Sequence, residues 1–254
     1  MRGKTGRGPT GTPSPGGGHI SIKRSEPIQN RLLATLPPGE LARLSSNFEQ
    51  IDLPLRKILP PARGSVGHAY FPQRGIVSLV RPMSDGSMVE VGIVGREGFV
   101  GLDVVLGGDM GGIQEMVQIA GSALAIPTAA LLKEVDRCPI FAARLLRYGE
   151  AMLIQISQTA ACNARHTIQE RLARWLLMVR DRIDDDDIAI SHELLSMMLG
   201  ARRAGITVAL GILKTAGLIA NRRGKIRILD DEGLEAAACE CYRIVREEVE
   251  RLQT

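Results

Sequence analysis

The chain has 254 residues, 44% hydrophobic, 24% charged and only 3% aromatic, with a formal net charge of +4. This is the composition of an ordinary folded protein with room for one large domain or two smaller ones, and the scarcity of aromatic residues argues against the base-stacking platforms that single-strand binders use. No run of about 18 apolar residues could cross a membrane, and the N-terminus has no apolar stretch of the secretory type, so a cytoplasmic location with reduced thiols is expected.

Residues 1–26 are rich in Gly, Pro and Ser with scattered Lys and Arg. They cannot bury a core and are expected to form a disordered basic tail. Short helical patterns follow in "IQNRLLATLPPGELARLSSNF", where two prolines and a glycine precede Leu41 and Leu44. The period then changes: "GIVSLV" (75–80), "MVEVGIV" (88–94) and "VQIAGSALAIP" (117–127) are β-rich, with an Asp85-Gly86 turn signal between the first two. Several short strands between Gly-rich turns predict an antiparallel barrel or sandwich over roughly 50–127.

From Pro139 the chain runs without a proline through a long helical pattern. Leu146, Gly149, Leu153, Ile156, Ala160 and Asn163 recur at steps of three and four, a seam of period 3.5 that fits a two-stranded dimer coil better than the alternative, a helix packed on its own barrel. A second helix, "TIQERLARWLLMVRDRI", carries Leu172, Trp175, Leu176 and Val179 on one face, and Asp184 to Asp187 then mark a solvated loop.

"SHELLSMMLGARRAGITVALGIL" has the arithmetic of a helix-turn-helix. Ser191 caps a first helix with apolar Leu194, Leu195 and Met198, and Gly200 supplies the turn. The second helix places Ile206, Ala209, Leu210 and Leu213 inward, leaving Arg202, Arg203, Thr207, Gly211 and Lys214 outward. Arg202, Arg203 and Thr207 sit at the end that enters a major groove and are the expected base readers. Gly205, interior to this helix, is expected to let the backbone approach DNA closely.

"GLIANRRGKIRIL" reads as a hairpin with strands at Leu218–Asn221 and Lys225–Leu229 and a cationic tip, a wing on which Arg222, Arg223, Lys225 and Arg227, together with Lys214, meet phosphates. Between Gly200 and Leu229 there are seven basic residues and no acidic one, the footprint of a polyanion-binding face. Double-stranded DNA is therefore the expected partner. The rival reading is a small-molecule-binding module whose winged helix contacts protein. No Ser-His-Asp set, metal-spaced ligands or phosphate loop can be assembled, so neither an enzyme nor a metal or other cofactor is expected. Cys239 and Cys241 read as small residues in a packed last helix, and the four histidines form no cluster in the sequence.

The segments "YFPQRGIVSLV", "VEVGIVGREGFVGLDVVLGG", "RLARWLL" and "AGLIANRRGKIRILDDEGLEAAACECY" resemble the Crp-Fnr superfamily of transcriptional regulators over about residues 28–242. The resemblance implies an α+β fold: a cyclic-nucleotide-binding-like antiparallel β jelly roll as sensor (27–138), a dimerisation helix (139–165) and a winged helix-turn-helix (166–254). It also implies a homodimer on a palindromic operator and contact with RNA polymerase. Members that bind cyclic nucleotides carry a Gly-Glu pair and an Arg-Ser or Arg-Thr pair; the matching positions here read Gly101-Leu102 and Gly111-Gly112. A cyclic phosphate would lose its cation and the ribose its acceptor, so this degenerate pocket is expected not to take cyclic AMP. Iron–sulfur relatives use cysteines near the N-terminus, and none precedes Cys138 here. On the second helix, Ala204 and Val208 stand where better-known members carry a base-contacting Glu and Arg, so a different operator is expected.

Overall fold

The computed structural model describes residues 27–62, 67–108 and 111–252, and the expected tail over 1–26 lies outside them. Two short helices, α1 (Arg31–Ala34) and α2 (Pro38–Ser45), precede β1 (Glu49–Leu53), β2 (His68–Pro82) and β3 (Met88–Val94); α3 (Leu102–Val105) and β4 (Gln114–Pro127) follow. The strands lie in the order β1-β4-β2-β3, every pair antiparallel.

"GIVSLV" and "VQIAGSALAIP" are parts of strands of 15 and 14 residues, longer than their apolar runs. Register shifts between Pro72 and Val77 bend β2 along β4. At the bend Gly75 has φ +84°, and a Cβ on the facing Gly121 would stand 2.0 Å from the Arg74 carbonyl oxygen. Only glycine permits that approach. A few long, bent strands thus replace the many short ones the sequence predicts.

Helix α4 (Thr128–Arg137) leads into α5 (Pro139–Arg165), 27 residues with proline in its first turn, where a missing N–H costs nothing. Its inner face, with Phe141, Leu145, Tyr148 and Met152, joins the core of the roll, and Tyr148 packs against Phe99 with ring centroids 5.3 Å apart. Gln155 closes the sheet edge: its Oε1 accepts from the Ile93 N–H at 2.7 Å and its Nε2 donates to the Ile93 carbonyl at 3.3 Å. A helix side chain thus satisfies backbone groups of edge strand β3 that would otherwise invite another strand.

Helix α6 (Ile168–Arg180) starts on a reciprocal capping box, in which Thr167 Oγ1 accepts from the Glu170 N–H and Glu170 accepts from the Thr167 N–H. The one-sided face expected from its sequence is not what the structure holds, because every residue from Arg171 to Val179 is buried. Around it stand β5 (Asp187–Ala189), α7 (His192–Met198), α8 (Arg203–Thr215), β6 (Ile219–Arg222), β7 (Lys225–Ile228), α9 (Asp231–Ala237) and α10 (Cys241–Arg251), with a small antiparallel sheet ordered β5-β7-β6. The core of this half takes in Ile76, Val80, Ile93 and Met116 of the roll, so the two halves share one apolar interior.

Polar bolts complete the junction. Glu90 of β3 accepts from Trp175 Nε1 of α6 at 2.9 Å, from Ser78 Oγ at 2.6 Å and from Gln118 Nε2 at 2.9 Å. Burial pushes its carboxyl up to about 7, against the pull of these donors and of Arg174. Glu97 and Arg182 form a salt bridge at 2.7 Å with side chains only 3% and 4% exposed. The Asp184–Asp187 run is not simply a solvated loop: Asp184 pairs with Arg96 at 2.6 Å, and Asp187 opens β5.

Candidate nucleic-acid interface

Ser191 caps α7 by accepting from the Leu194 N–H at 3.2 Å. Leu194, Leu195 and Met198 face the core, and Gly200, at φ +53°, turns the chain. Helix α8 then departs at 105° to α7, within the range of helix-turn-helix pairs. Ile206, Ala209, Leu210 and Leu213 form its buried face.

Arg202 stands at the N-cap of α8 and Arg203 opens the helix; both are exposed, as are Thr207, Gly211 and Lys214. Among the described residues, Arg202, Arg203, Lys214, Arg222 and Arg223 show no ion pair. Ala204, Val208 and Ile212 are also exposed, Val208 by 62% and Ile212 by 44%, so the outward side of α8 presents two large apolar side chains among its cations. Thr207 Oγ1 donates back to the Arg203 carbonyl at 3.1 Å and lies 3.2 Å from His192 Nδ1. His192 Nε2 in turn lies 3.3 Å from Asn221 Nδ2 on β6. This chain from α8 through α7 to the hairpin fixes Thr207, and the sequence reading passed over His192 and Asn221 because only the fold brings them together.

The hairpin turns at Arg223 (φ +50°) and Gly224 (φ +76°), the pair of positive φ values that a two-residue primed turn demands. Arg222 and Arg223 are exposed at this tip. Lys225 and Arg227 differ from the expectation of free phosphate ligands. Arg227 Nε donates to Asp187 at 2.7 Å and Lys225 Nζ lies 3.7 Å from the same carboxylate, whose pKa the Arg227 hydrogen bond lowers. Asp187 reaches both because β5 pairs with β7, a strand that the acidic run concealed.

Gly205 is not open to a ligand. A Cβ there would meet Ile168 Cδ1 of α6 at 2.8 Å, so this glycine serves helix packing inside the protein. Gly211 has nothing within 4 Å of its Cβ position and lies on the outward face with Thr207.

Four of the six seam residues of α5 lie away from the roll, while Gly149 and Ile156 pack against it. Leu146 and Leu153 are 55% and 65% exposed, Ala160 and Asn163 are exposed, and Gly149 and Ile156 are half-buried. Within the roll, Gly101 precedes α3 at φ +110°, and Leu102 is buried with a methyl 3.3 Å from the Cβ position of Gly149. Gly111 and Gly112 also have positive φ, and the Gly111 carbonyl accepts from Arg81. The adjoining cavity is about 10 Å³, lined by Leu79, Phe99, Leu102, Tyr148 and Met152, with Glu115 as its charged group. Burial pushes the Glu115 carboxyl up to about 7.

One grouping was invisible in the sequence. Cys162 and His166 at the end of α5 meet Cys239 and Cys241 at the start of α10, with one ligand atom from each lying within 4.8 Å of all the others. Cys239 and Cys241 are buried as the sequence leads one to expect, and the fold adds that they lie beside Cys162 and His166.

Residues 170–237 match the Crp-like helix-turn-helix domain. No curated protein sequence matches the chain significantly. Among solved structures, FixK2 from Bradyrhizobium japonicum superposes with a TM-score of 0.60 at 18% identity, covering 76% of this chain and 98% of that one. The c-di-GMP-responsive regulator CLP of Xanthomonas campestris gives 0.60 at 17%, covering 76% and 100%. A Crp/Fnr-family transcriptional regulator from Thermus thermophilus gives 0.58 at 20%, covering 75% and 98%. The chain therefore has a Crp/Fnr-like fold: an antiparallel N-terminal roll, helices, and a Crp-like helix-turn-helix.

Proposed function

We propose that this protein is a sequence-specific regulator of transcription that binds double-stranded DNA as a homodimer on a palindromic operator. One observation carries the reading. The outward face of α8 and the hairpin tip hold five cations with no ion pair among the described residues, on a Crp-like helix-turn-helix. Unpaired surface cations on one face repel each other and are best stabilised by an external polyanion.

In this reading Arg202, Arg203 and Thr207 read bases, Val208 packs on a thymine methyl, and Lys214, Arg222 and Arg223 grip phosphates. Lys225 and Arg227 contribute less, since Asp187 already neutralises part of their charge. The exposed seam of α5 supports the dimer, which would set two α8 helices about 34 Å apart along one face of the duplex. RNA polymerase is the partner that such a regulator acts on.

The roll is proposed to bind no cyclic nucleotide. The cavity beside Gly101 and Leu102 is far below the ~300–1,000 Å³ of small-molecule sites, and its one charged group, Glu115, offers no cation to a phosphate. Selection of duplexes from a random pool tests the whole reading. It should return a two-fold symmetric sequence, bound with an affinity that falls steeply with salt. Retention of no duplex, or binding indifferent to salt, would favour a winged helix that contacts protein, and sedimentation of the free protein tests the dimer.

A further inference from the structure

The cluster at the junction of α5, α6 and α10 is built like a ligand set. Cys162 Sγ lies 3.5 Å from Cys239 Sγ, and Cys241 Sγ lies 3.7 Å from His166 Nδ1. A tetrahedral zinc with bonds of about 2.3 Å to sulfur and about 2.0 Å to nitrogen has ligand-to-ligand edges of roughly 3.5–3.8 Å. The two closest pairs already stand at that spacing, and the remaining separations, all within 4.8 Å, need only small side-chain adjustments. All four cysteines of the chain are free thiols, and these three are buried.

We propose that Cys162, His166, Cys239 and Cys241 form a Cys₃His zinc site that ties the end of α5 to the start of α10. Three observations beyond the spacing support it. First, His166 Nε2 lies 3.3 Å from a Glu240 carboxylate oxygen. With Nε2–H donating to Glu240, Nδ1 turns a lone pair toward the thiols, the carboxylate–histidine arrangement that orients metal-bound imidazole. Second, three thiolates and one Zn²⁺ leave a net charge of −1, and two buried arginines of α6 supply compensation. Arg171 acts electrostatically on Cys162 and Cys239, and Arg174 on Cys162 and Cys241. Arg174 Nε and Nη1 and Arg171 Nε have no hydrogen-bond partner, although buried. Third, the donor set selects the metal: thiolates with one imidazole suit zinc and do not suit magnesium or calcium. A disulfide between Cys162 and Cys239 would account for two of the four convergent groups and leave Cys241, His166 and Glu240 unexplained.

The position gives the site a consequence. His166 ends α5 and immediately precedes the cap of α6, so the metal would fix the joint between the long helix and the helix-turn-helix. Arg171, which faces the thiols, also donates to the Leu199 carbonyl in the turn between α7 and α8. Loss of the ion would therefore loosen the support of that turn.

The test uses the full chain purified under reducing conditions, with metal content measured by plasma mass spectrometry and the zinc then exchanged for Co²⁺. The expected result is one zinc per chain and the intense visible bands of tetrahedral thiolate-bound Co²⁺. Cys239→Ser should abolish both, and Glu240→Gln, which leaves all four ligands in place, should weaken Co²⁺ binding about 10- to 100-fold. Should Cys239→Ser fail to fold, the wild-type spectrum and the Glu240→Gln titration still decide. A chain that retains no zinc and takes up no Co²⁺ would overturn the proposal, as would a Cys162–Cys239 disulfide in protein kept under thiol throughout. The site does not depend on the DNA-binding reading: metal content judges one, and duplex binding the other.

Discussion

Two sets of arginines in the C-terminal half of this chain behave in opposite ways. Arg171, Arg174 and Arg182, on or just after α6, are buried; Arg202, Arg203, Arg222 and Arg223, on α8 and the hairpin, are exposed. The inner set is engaged with the protein: Arg182 with Glu97, Arg171 with the Leu199 carbonyl, Arg174 beside the thiols and Glu90. The outer set has no ion pair among the described residues. Residue type alone does not say which is which. Burial turns a guanidinium into a structural bolt, because a desolvated charge must be matched nearby, while exposure leaves it available to an external anion.

Breaking the inner set should give the largest effects. Glu97→Ala strands Arg182 in the interior and should cost about 3–5 kcal/mol in chemical denaturation. A loss below about 1 kcal/mol would mean that water reaches the pair. The Glu90 bolt should show itself in pH dependence. Its carboxyl is raised to about 7 in the folded protein, from 4.5. Between those values the folded state holds a proton that the unfolded state has released, so stability should fall as pH rises from about 4.5 to about 7 and level off above. The part of the fall due to Glu90 should be at most about 3 kcal/mol, and Glu90→Gln should remove that part while Glu115 keeps its own. An unchanged slope in that variant would assign the dependence elsewhere.

Changes in the outer set should leave stability nearly alone and move DNA binding instead. Arg222→Ala should weaken binding to every duplex alike and reduce the salt slope by about 1. Arg223→Asn suits the positive φ at the turn, so the fold should be kept or slightly stabilised while affinity falls. The smallest effect is expected at Gly211. With nothing within 4 Å of its Cβ position, Gly211→Ala should raise thermal stability by about 0.4–1 kcal/mol. A drop in operator affinity in that variant would mean that the duplex approaches α8 there, a role the sequence led us to expect at Gly205.

The outer set was far more legible in the sequence than the inner one. The steps from Ile206 to Leu213 identify the buried face of α8, and every cation of the window between Gly200 and Leu229 is exposed, because helix period, capping and alternation are local. The partners of those cations were not legible: Asp187 meets Arg227 only because a three-residue strand forms from an acidic run. Glu90 lies in a β-rich run whose local pattern does not show its partners: α7 packs on β3, and Trp175 of α6 reaches across to the buried carboxylate. Cys162 and Cys239 are 77 residues apart, and no spacing rule for metal ligands links one end of α5 to the start of α10. What escaped the sequence is in each case a contact between the two halves or between distant elements.

The central claim, that the outer arginines of α8 read DNA sequence, is tested most directly by Arg203→Ala, assayed by fluorescence anisotropy on the selected operator and on a random duplex of equal length. The account predicts a loss of about 1–3 kcal/mol on the operator, against a much smaller loss on random DNA, with unfolding unchanged within about 0.5 kcal/mol. Equal losses on the two duplexes, or none on either, would contradict it.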